Sequence, residues 1–536
     1  MNKRRQRTAA ALMSVTLAAG LIAGCSKGEA PPAVQPSDSG GAPKEVNYPE
    51  KLTYWAGMGN AGSVLKSFNE MGAYKEMEKI TGTKVEFQHP PSGQEADQFN
   101  LMLASGKLPD IIEYNWASVA KGPDNAIKEK RIIRLNELIE EHAPNLTKIL
   151  NEHPEWKKLI TTDEGNIYVF PFIRGHEELL TFHGPVIRKD WLDKVNLPVP
   201  KTIDDWEKAL TAFRDQDPNG NGQKDEIPFL LTMGDINVGH AFIGAWGITT
   251  EFYQDNGTVK YGPIQPEYKE FLTLMNRWYK EGLIDKDYAT TDSKLKDAKM
   301  TGDQLGSIVT YNGSGIGRYT SLMKDSKPDF TLIGTTYPVL KEGDKALGQM
   351  DFPFRGDGGA ISATAKNPEE LVKWMDFRYG EQGHMLFNFG VEGESYVMEN
   401  GYPKYTDLIM NNPDKLPITQ AMAKYFVASW SGPIIQDVRY QEQYLSLDVQ
   451  KEAIKNWMDA DHSKLLPPIT RTADESSRYS SIMNDINTYK TEMIDKFIMG
   501  AEPLDRFDDF VNTLKGMGIE EAIKIQQAAL ERFNQR

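Results

Sequence analysis

The sequence predicts an α/β protein of more than one lobe. Short apolar runs alternate with segments of helical periodicity, the pattern of a mixed or parallel sheet with helices packed on both faces. The part of the chain that can fold, about 510 residues, is also longer than one hydrophobic core usually supports.

The elements follow in chain order. Lys51-Leu52-Thr53-Tyr54-Trp55 is a strand running into Gly-rich sequence, and residues 64–80 carry a helical pattern closed by Gly82. Val85-Glu86-Phe87 is the next strand. Residues 94–105 form a helix stopped by Gly106, because glycine takes the left-handed conformation that ends a helix at little steric cost. Pro109 precedes the strand Asp110-Ile111-Ile112-Glu113-Tyr114. Thr202 caps a further helix with an acid three residues on, at Asp205; its apolar face is Trp206, Leu210 and Phe213. Gly359-Ala360-Ile361-Ser362-Ala363 reads as a strand. Asn367-Pro368-Glu369-Glu370 then starts a helix by cap, proline and first-turn acids. The last third is mostly helical, with clear periodicity over 483–498 and 518–533.

The N-terminal residues give an address. Lys3, Arg4, Arg5 and Arg7 make a basic start, residues 8–24 carry no charge, and Ile22-Ala23-Gly24-Cys25 closes the apolar run. A basic start, an apolar stretch and a small-residue cleavage site make a secretory signal. The run is slightly short for a membrane span, which needs about 20 residues. Cys25 is the only cysteine. Its place directly after Ala-Gly resembles the lipobox of bacterial lipoproteins, which implies cleavage before Cys25 and diacylglycerol on its thiol. The alternatives are an uncleaved anchor and a soluble secreted protein with a free thiol. Residues 1–24 are thus expected to be a signal peptide, and 25–47 a lipidated tether on the outer face of the bacterial cell membrane. Pro, Gly, Ser and Ala dominate 26–47, which cannot bury enough surface to fold.

The chain carries a net charge of −15, and losing the four basic leader residues makes it −19. That balance argues against a nucleic-acid partner and against adhesion to anionic lipid. With Cys25 lipidated no disulfide can form, so stability rests on packing and on any bound metal.

Asp217-Pro218-Asn219-Gly220-Asn221-Gly222-Gln223-Lys224-Asp225-Glu226 is the sharpest internal signal. Oxygen-bearing side chains fall at positions 1, 3, 5, 9 and 10, and Gly222 sits at position 6, where an EF-hand loop turns sharply. Three carboxylates held together need a cation, and calcium accepts six to eight oxygens at flexible angles. Position 12 is Pro228 in place of the bidentate Glu, so Glu226 must take that role, and no paired second loop exists. One structural calcium ion is expected; the alternative is a polar Asn-Gly surface turn.

Several motifs occur in a fixed order: Leu108-Pro109-Asp110-Ile111, Ile187 to Asp193, Asp217 to Pro228, Gly282-Leu283-Ile284-Asp285, and Gly390 to Tyr396. Together they resemble the large lipoproteins among the family 1 extracellular solute-binding proteins, in particular those similar to alginate-oligosaccharide-binding proteins. The resemblance covers nearly all of 48–536. It implies two α/β lobes of the type II periplasmic-binding-protein fold, joined by hinge strands, with the ligand in the cleft. The implied N-terminal lobe is 48–175 and 353–392; the implied C-terminal lobe is 176–352 and 393–536. It also implies an ABC importer component: a monomer that captures an oligosaccharide and passes it to permease subunits. Its calcium ligands carry over as Asp217, Asn219, Asn221, Asp225 and Glu226, with the carbonyl of Gln223.

Sugars present apolar C–H faces and hydroxyl edges, so their sites pair aromatic platforms with polar rims. In α/β lobes such residues lie beyond the carboxyl ends of strands. Trp55, Asn115, Trp116, Trp246, Tyr311, Arg355, Asp357, Glu392, Tyr396 and Trp430 hold such positions. For each the alternative is packing within one lobe. Arg174, Arg188 and Arg355 are candidates for an acidic sugar, and for Arg188 a structural salt bridge is preferred.

Enzyme motifs are weak. His176-Glu177-Glu178-Leu179-Leu180 lacks the second histidine of a zinc hydrolase, and Gly313-Ser314-Gly315-Ile316-Gly317 lacks dinucleotide-binding spacing and reads as a turn. No catalytic residue is expected. A chain with 76 acids offers many carboxylate pairs of the kind a glycosidase uses, so a tethered glycan-cleaving enzyme is the main rival, and a non-transport glycan adhesin the other.

Overall fold

A five-stranded mixed sheet organises the first lobe, in the order Lys84–Gln88, Lys51–Trp55, Ile111–Asn115, Asp357–Ile361, Phe170–Pro171. The first three strands are parallel. The fourth, which arrives late in the chain, runs antiparallel to Ile111–Asn115 and pairs Asp357 with Asn115. The computed structural model describes residues 46–427 and 432–536. Cys25, the signal segment, the tether up to residue 45 and Trp430 lie outside the described residues.

Local chemistry sets the element ends. Glu95–Ser105 ends at Gly106 with φ of 69°, left-handed as expected. The helix expected from residue 64 begins only at Gly72. Ser67 instead caps a short turn over Phe68–Glu70, and the extended backbone of Met71 then separates that turn from the helix. Thr202 and Asp205 form a reciprocal cap: Asp205 N–H donates to the Thr202 hydroxyl at 3.1 Å, and Thr202 N–H donates to the Asp205 carboxylate at 3.2 Å. Asn367 makes no such cap; its amide donates to Glu370 at 3.2 Å.

The second lobe has a smaller antiparallel sheet, Leu332–Gly334, His183–Arg188 and Ser307–Tyr311. Close contact to this sheet requires glycine at position 184. A Cβ there would lie 2.4 Å from the Trp457 indole nitrogen, so the ring packs flush on the strand. Long helices complete the lobe, including Ala473–Met499 and Ile519–Gln535, which match the C-terminal periodicity.

The described body has two hydrophobic cores, as the two-lobed fold requires. One gathers residues from Leu52 to Leu179 and from Phe354 to Tyr440. The other gathers Val186 to Ala346 and Leu445 to Ala522. Each is anchored by fully buried tryptophans: Trp116 and Trp374 in the first, Trp191, Trp206, Trp278 and Trp457 in the second. Burying such a side chain contributes roughly 1.5–3 kcal/mol. The chain passes between cores three times, between Leu179 and Val186, Ala346 and Phe354, and Tyr440 and Leu445. Tyr396, Tyr405, Phe426 and Tyr440 pack in the first core, although the resemblance implies that 393–440 belongs to the second lobe. The aromatic density of this stretch finds its partners in the first lobe, with Tyr405 stacked on Phe426 at 5.4 Å.

The helices Ala473–Met499 and Ile519–Gln535 also touch the first lobe. Ser480 donates to the Ala120 carbonyl at 2.7 Å, and Arg532 Nε donates to Asp163 at 2.6 Å. Among the described residues no helix is long and apolar enough to cross a membrane.

Candidate functional site

Near the passages between lobes lies a cavity of about 270 Å³ lined from both sides. Asn60, Arg174 and Tyr440 come from the first lobe's chain segments; Tyr311, Ser314 and Ile454 come from the second's. Tyr311 ends the strand Ser307–Tyr311 and is 38% exposed. Its ring stacks parallel on Phe182, centroids 5.9 Å apart and planes 6° apart, and meets His183 edge-on at 4.6 Å. This is an aromatic platform open on one side. Burial, together with the charge of Asp235, raises the pKa of the Tyr311 hydroxyl, which stays protonated and able to donate.

The wall after Tyr311 is a wide helical segment, Asn312–Gly317, leading into the helix Arg318–Met323. The sequence reading of a turn is replaced here by a π-type helix, a form associated with functional sites. Its glycines make it possible: a Cβ on Gly313 would collide with the Tyr444 hydroxyl at 1.7 Å, and one on Gly315 with Thr310 at 2.4 Å. Asn312 is buried and donates to the Gln450 carbonyl at 2.7 Å, tying the wall to the second lobe.

Strand direction puts Arg355 and Asp357 at the same sheet edge as Asn115. The strand Asp357–Ile361 is antiparallel, so its start lies at the carboxyl end of Ile111–Asn115. The Asn115 side chain caps the following turn, accepting from Ser118 N–H at 3.0 Å, and donates to the Arg355 carbonyl at 3.3 Å. Arg355 reaches back to Asp351 at 3.0 Å, and Arg174 meets the other Asp351 oxygen at 3.3 Å. Charges on Arg355 and Arg174 both act on Tyr311. Tyr311, Arg355 and Asp357 are thus brought to one region, with Asn115 behind Arg355.

The other candidates are placed elsewhere. Trp116 is fully buried and donates to the Ile112 carbonyl at 3.1 Å. Trp55 is buried against Phe99 and Tyr114 at 5.9 and 6.0 Å. Trp246 donates to Glu270 at 2.8 Å and packs on Phe271 in the second core. Glu392 and Tyr396 line a separate hollow of about 580 Å³ beside Glu76 and Glu381, wholly within the first lobe. Arg188 is fully buried between Asp190 and Asp303, the preferred salt bridge. His183 is buried within 3.6 Å of Asp235, and burial lowers its pKa, so it is neutral near pH 7.

Sequence reasoning missed Phe182, Asp351, Tyr440 and Tyr444. Tyr440 and Tyr444 are spaced four apart on the helix Val438–Tyr444, an aromatic stripe legible at helical spacing. Asp351 lies in irregular chain and carried no such signal.

The loop 217–226 is folded on its own carboxylates. Asp217 accepts from Gly220 N–H at 3.0 Å, Asn221 N–H at 3.2 Å and Gly222 N–H at 3.0 Å. The amides of Asn219 and Asn221 both donate to Asp225, at 3.1 and 3.0 Å, and Gln304 donates to its second oxygen at 3.0 Å. Glu226 Oε1 is buried without a hydrogen-bond partner. Burial, with the charges of Asp217 and Asp225, raises the Glu226 pKa. A buried, unpartnered carboxylate oxygen beside two further carboxylates suits a hard cation with oxygen ligands. Among the described residues no group of three or more His, Cys, Asp or Glu is placed to hold a metal ion, so Asp217, Asp225 and Glu226 would have to draw together around one.

Two lobes, a cleft between them and an open aromatic platform with polar neighbours define a substrate-binding protein. The chain matches the family model described as bacterial extracellular solute-binding protein over residues 61–385, and it belongs to that family. It is 29% identical over 491 residues to the fructooligosaccharide ABC transporter substrate-binding protein FusA of Streptococcus pneumoniae serotype 4, covering 87% of this chain and 88% of FusA. A solved structure of FusA in complex with kestose superposes with a TM-score of 0.75 at 25% identity, covering 90% of this chain and 99% of that one. The lipoprotein LipO of Bacillus subtilis is 26% identical, covering 96% of each chain. The alginate-binding protein AlgQ2, solved without calcium ion, superposes with a TM-score of 0.75 at 25% identity, covering 90% of this chain and 98% of AlgQ2.

Proposed function

We propose that this chain captures an oligosaccharide in the cavity between its lobes and delivers it to an ABC permease. A lipid on Cys25 holds it at the outer face of the bacterial cell membrane. The observation that carries the reading is the Phe182–Tyr311 platform, facing amide and hydroxyl side chains across the cavity. A stacked ring covers the apolar face of a sugar, and neutral polar groups meet its hydroxyls. FusA, named for fructooligosaccharide transport, supports the substrate class, and LipO supports the lipid anchor. Tyr311, Arg355, Asp357 and Asn115 are the candidates retained for the ligand site. Asp217, Asn219, Asn221, Asp225 and Glu226, with the Gln223 carbonyl, would hold one calcium ion as a structural clip. The protein works as a monomer and carries out no turnover.

Calorimetry of the purified protein against an oligosaccharide panel, with chromatography of the mixtures, tests this. One ligand bound per chain and recovered intact is expected. Cleavage of the ligand would establish the glycan-cleaving enzyme in its place. In cells fed a labelled fatty acid, the native chain is expected to take up label that Cys25→Ala does not; a native chain without label would refute the lipid anchor.

A further inference from the structure

The charge class of the ligand is written into the cleft. Among the described residues lining the cavity, Arg174 is the one charged side chain. Its guanidinium lies over Phe172 and Phe182, at 5.2 and 5.1 Å from the ring centroids, with 15% of the side chain exposed. Left alone, such a cation on an aromatic shelf would favour a carboxylate. It is not alone. Asp351 places one oxygen 3.3 Å from Arg174 and the other 3.0 Å from Arg355, while only 9% of its side chain is exposed.

The backbone fixes this bridge in place. Asp351 N–H donates to the Leu180 carbonyl at 2.8 Å, and Arg174 N–H donates to the Pro353 carbonyl at 2.9 Å. Two passages between the lobes are thereby stitched together, with Asp351 aimed at both guanidiniums. Asp357 adds a second negative charge acting on Arg355. Near the platform Arg174 and Arg355 therefore stand against Asp351 and Asp357, while Asp235, whose charge also acts on Tyr311, is paired with Lys296 at 3.6 Å. The remaining polar lining, such as Asn60, Thr419, Gln441 and Tyr444, is neutral.

We propose that Asp351 is a specificity-determining residue: by neutralising Arg174 and Arg355 it makes the cleft a site for uncharged oligosaccharides. The inference rests on the oligosaccharide reading above and sharpens it. A uronate entering here would share its guanidiniums with a buried aspartate already bound to them, and like charges that close repel. A neutral sugar meets no such repulsion. The relatives leave the matter open, since AlgQ2 is named for alginate, a polymer of acidic sugars, and FusA for fructooligosaccharides.

Calorimetry with kestose, nystose, cellotetraose and xylotetraose against tetragalacturonate and tetramannuronate decides it. At least one neutral sugar is expected to bind about tenfold or more tighter than either uronide. Its affinity is expected to change less than about twofold between 50 and 500 mM salt, because screening weakens only a charged contact. Asp351→Asn keeps the shape and frees both guanidiniums, so uronide affinity should rise about tenfold. A uronide as the tightest ligand of the native protein would overturn the inference while leaving the oligosaccharide reading standing. So would an Asp351→Asn protein that melts cooperatively yet keeps its preference. If the variant does not fold, the native panel and salt series alone decide. No binding by any sugar would overturn the oligosaccharide reading itself, and this inference with it.

Discussion

Arg188 has no contact with solvent, and its guanidinium meets two carboxylates. Asp190 holds it in a two-point pair at 2.8 and 2.6 Å, Asp303 meets its third nitrogen at 2.7 Å, and its guanidinium lies over Phe330 at 4.3 Å. Breaking a buried pair strands a charge and costs about 3–5 kcal/mol. Asp303→Asn keeps the shape and suits the local backbone, where φ is 60°; it removes the pair with Arg188 together with the one Asp303 makes to Lys327. About 3 kcal/mol of unfolding free energy should be lost in urea; a loss under about 1 kcal/mol would show that Asp190 alone suffices. Residue type told less about exposure than about chemistry. Trp55 and Trp116 had strand-end positions like that of Tyr311, and Trp246 a loop position, but their rings found packing partners inside one lobe. Tyr311 stayed open because its neighbour Phe182 comes from the passage between lobes, a contact that only the tertiary fold creates.

At the scale of elements, the most legible features were those with short-range causes. The Thr202–Asp205 cap, the Gly106 stop and the long C-terminal helices all follow from residues within a turn of one another. The loop 217–226 belongs to the same class: its Asn and Asp side chains bond to backbone N–H groups two to five residues on. Its metal occupancy is testable. Stripping the protein with a chelator is expected to lower the melting temperature by a few degrees, about 1 °C for each 1 kcal/mol lost in a chain of this length. Added calcium should restore it. Unchanged melting in protein shown by elemental analysis to be metal-free would mean that the loop is only a turn. The third passage between the lobes was illegible because nothing local marks it. Residues 393–440 alternate short strands and helices like those on either side, and only the partners of Tyr405 and Phe426 reveal which core they join.

Length and alternation made the whole molecule legible as an α/β protein of more than one lobe; the count of two and the binding fold came only with the resemblance that the ordered motifs carry. Ligand between two lobes closes them by hinge motion in proteins of this architecture. Small-angle scattering should therefore show a smaller radius of gyration when a saturating sugar is added. An unchanged radius would favour an adhesin that binds without closing. The contacts of Arg532 with Asp163 and of Ser480 with Ala120 limit how that motion can run, since they join the terminal helices to the first lobe away from the platform.

Three passages between cores also govern how the protein comes into being. The strand Asp357–Ile361 inserts beside Ile111–Asn115, more than 200 residues earlier, and the second core waits for Leu445 to Ala522. During synthesis the first sheet therefore stands with an unpaired edge until its late strand arrives, and neither lobe can be finished alone. Pairing across such separations is slow. If residues 1–24 act as the export signal expected of them, that delay is useful: the nascent polypeptide stays loose enough to be threaded outward, and its shape is settled only on the far side.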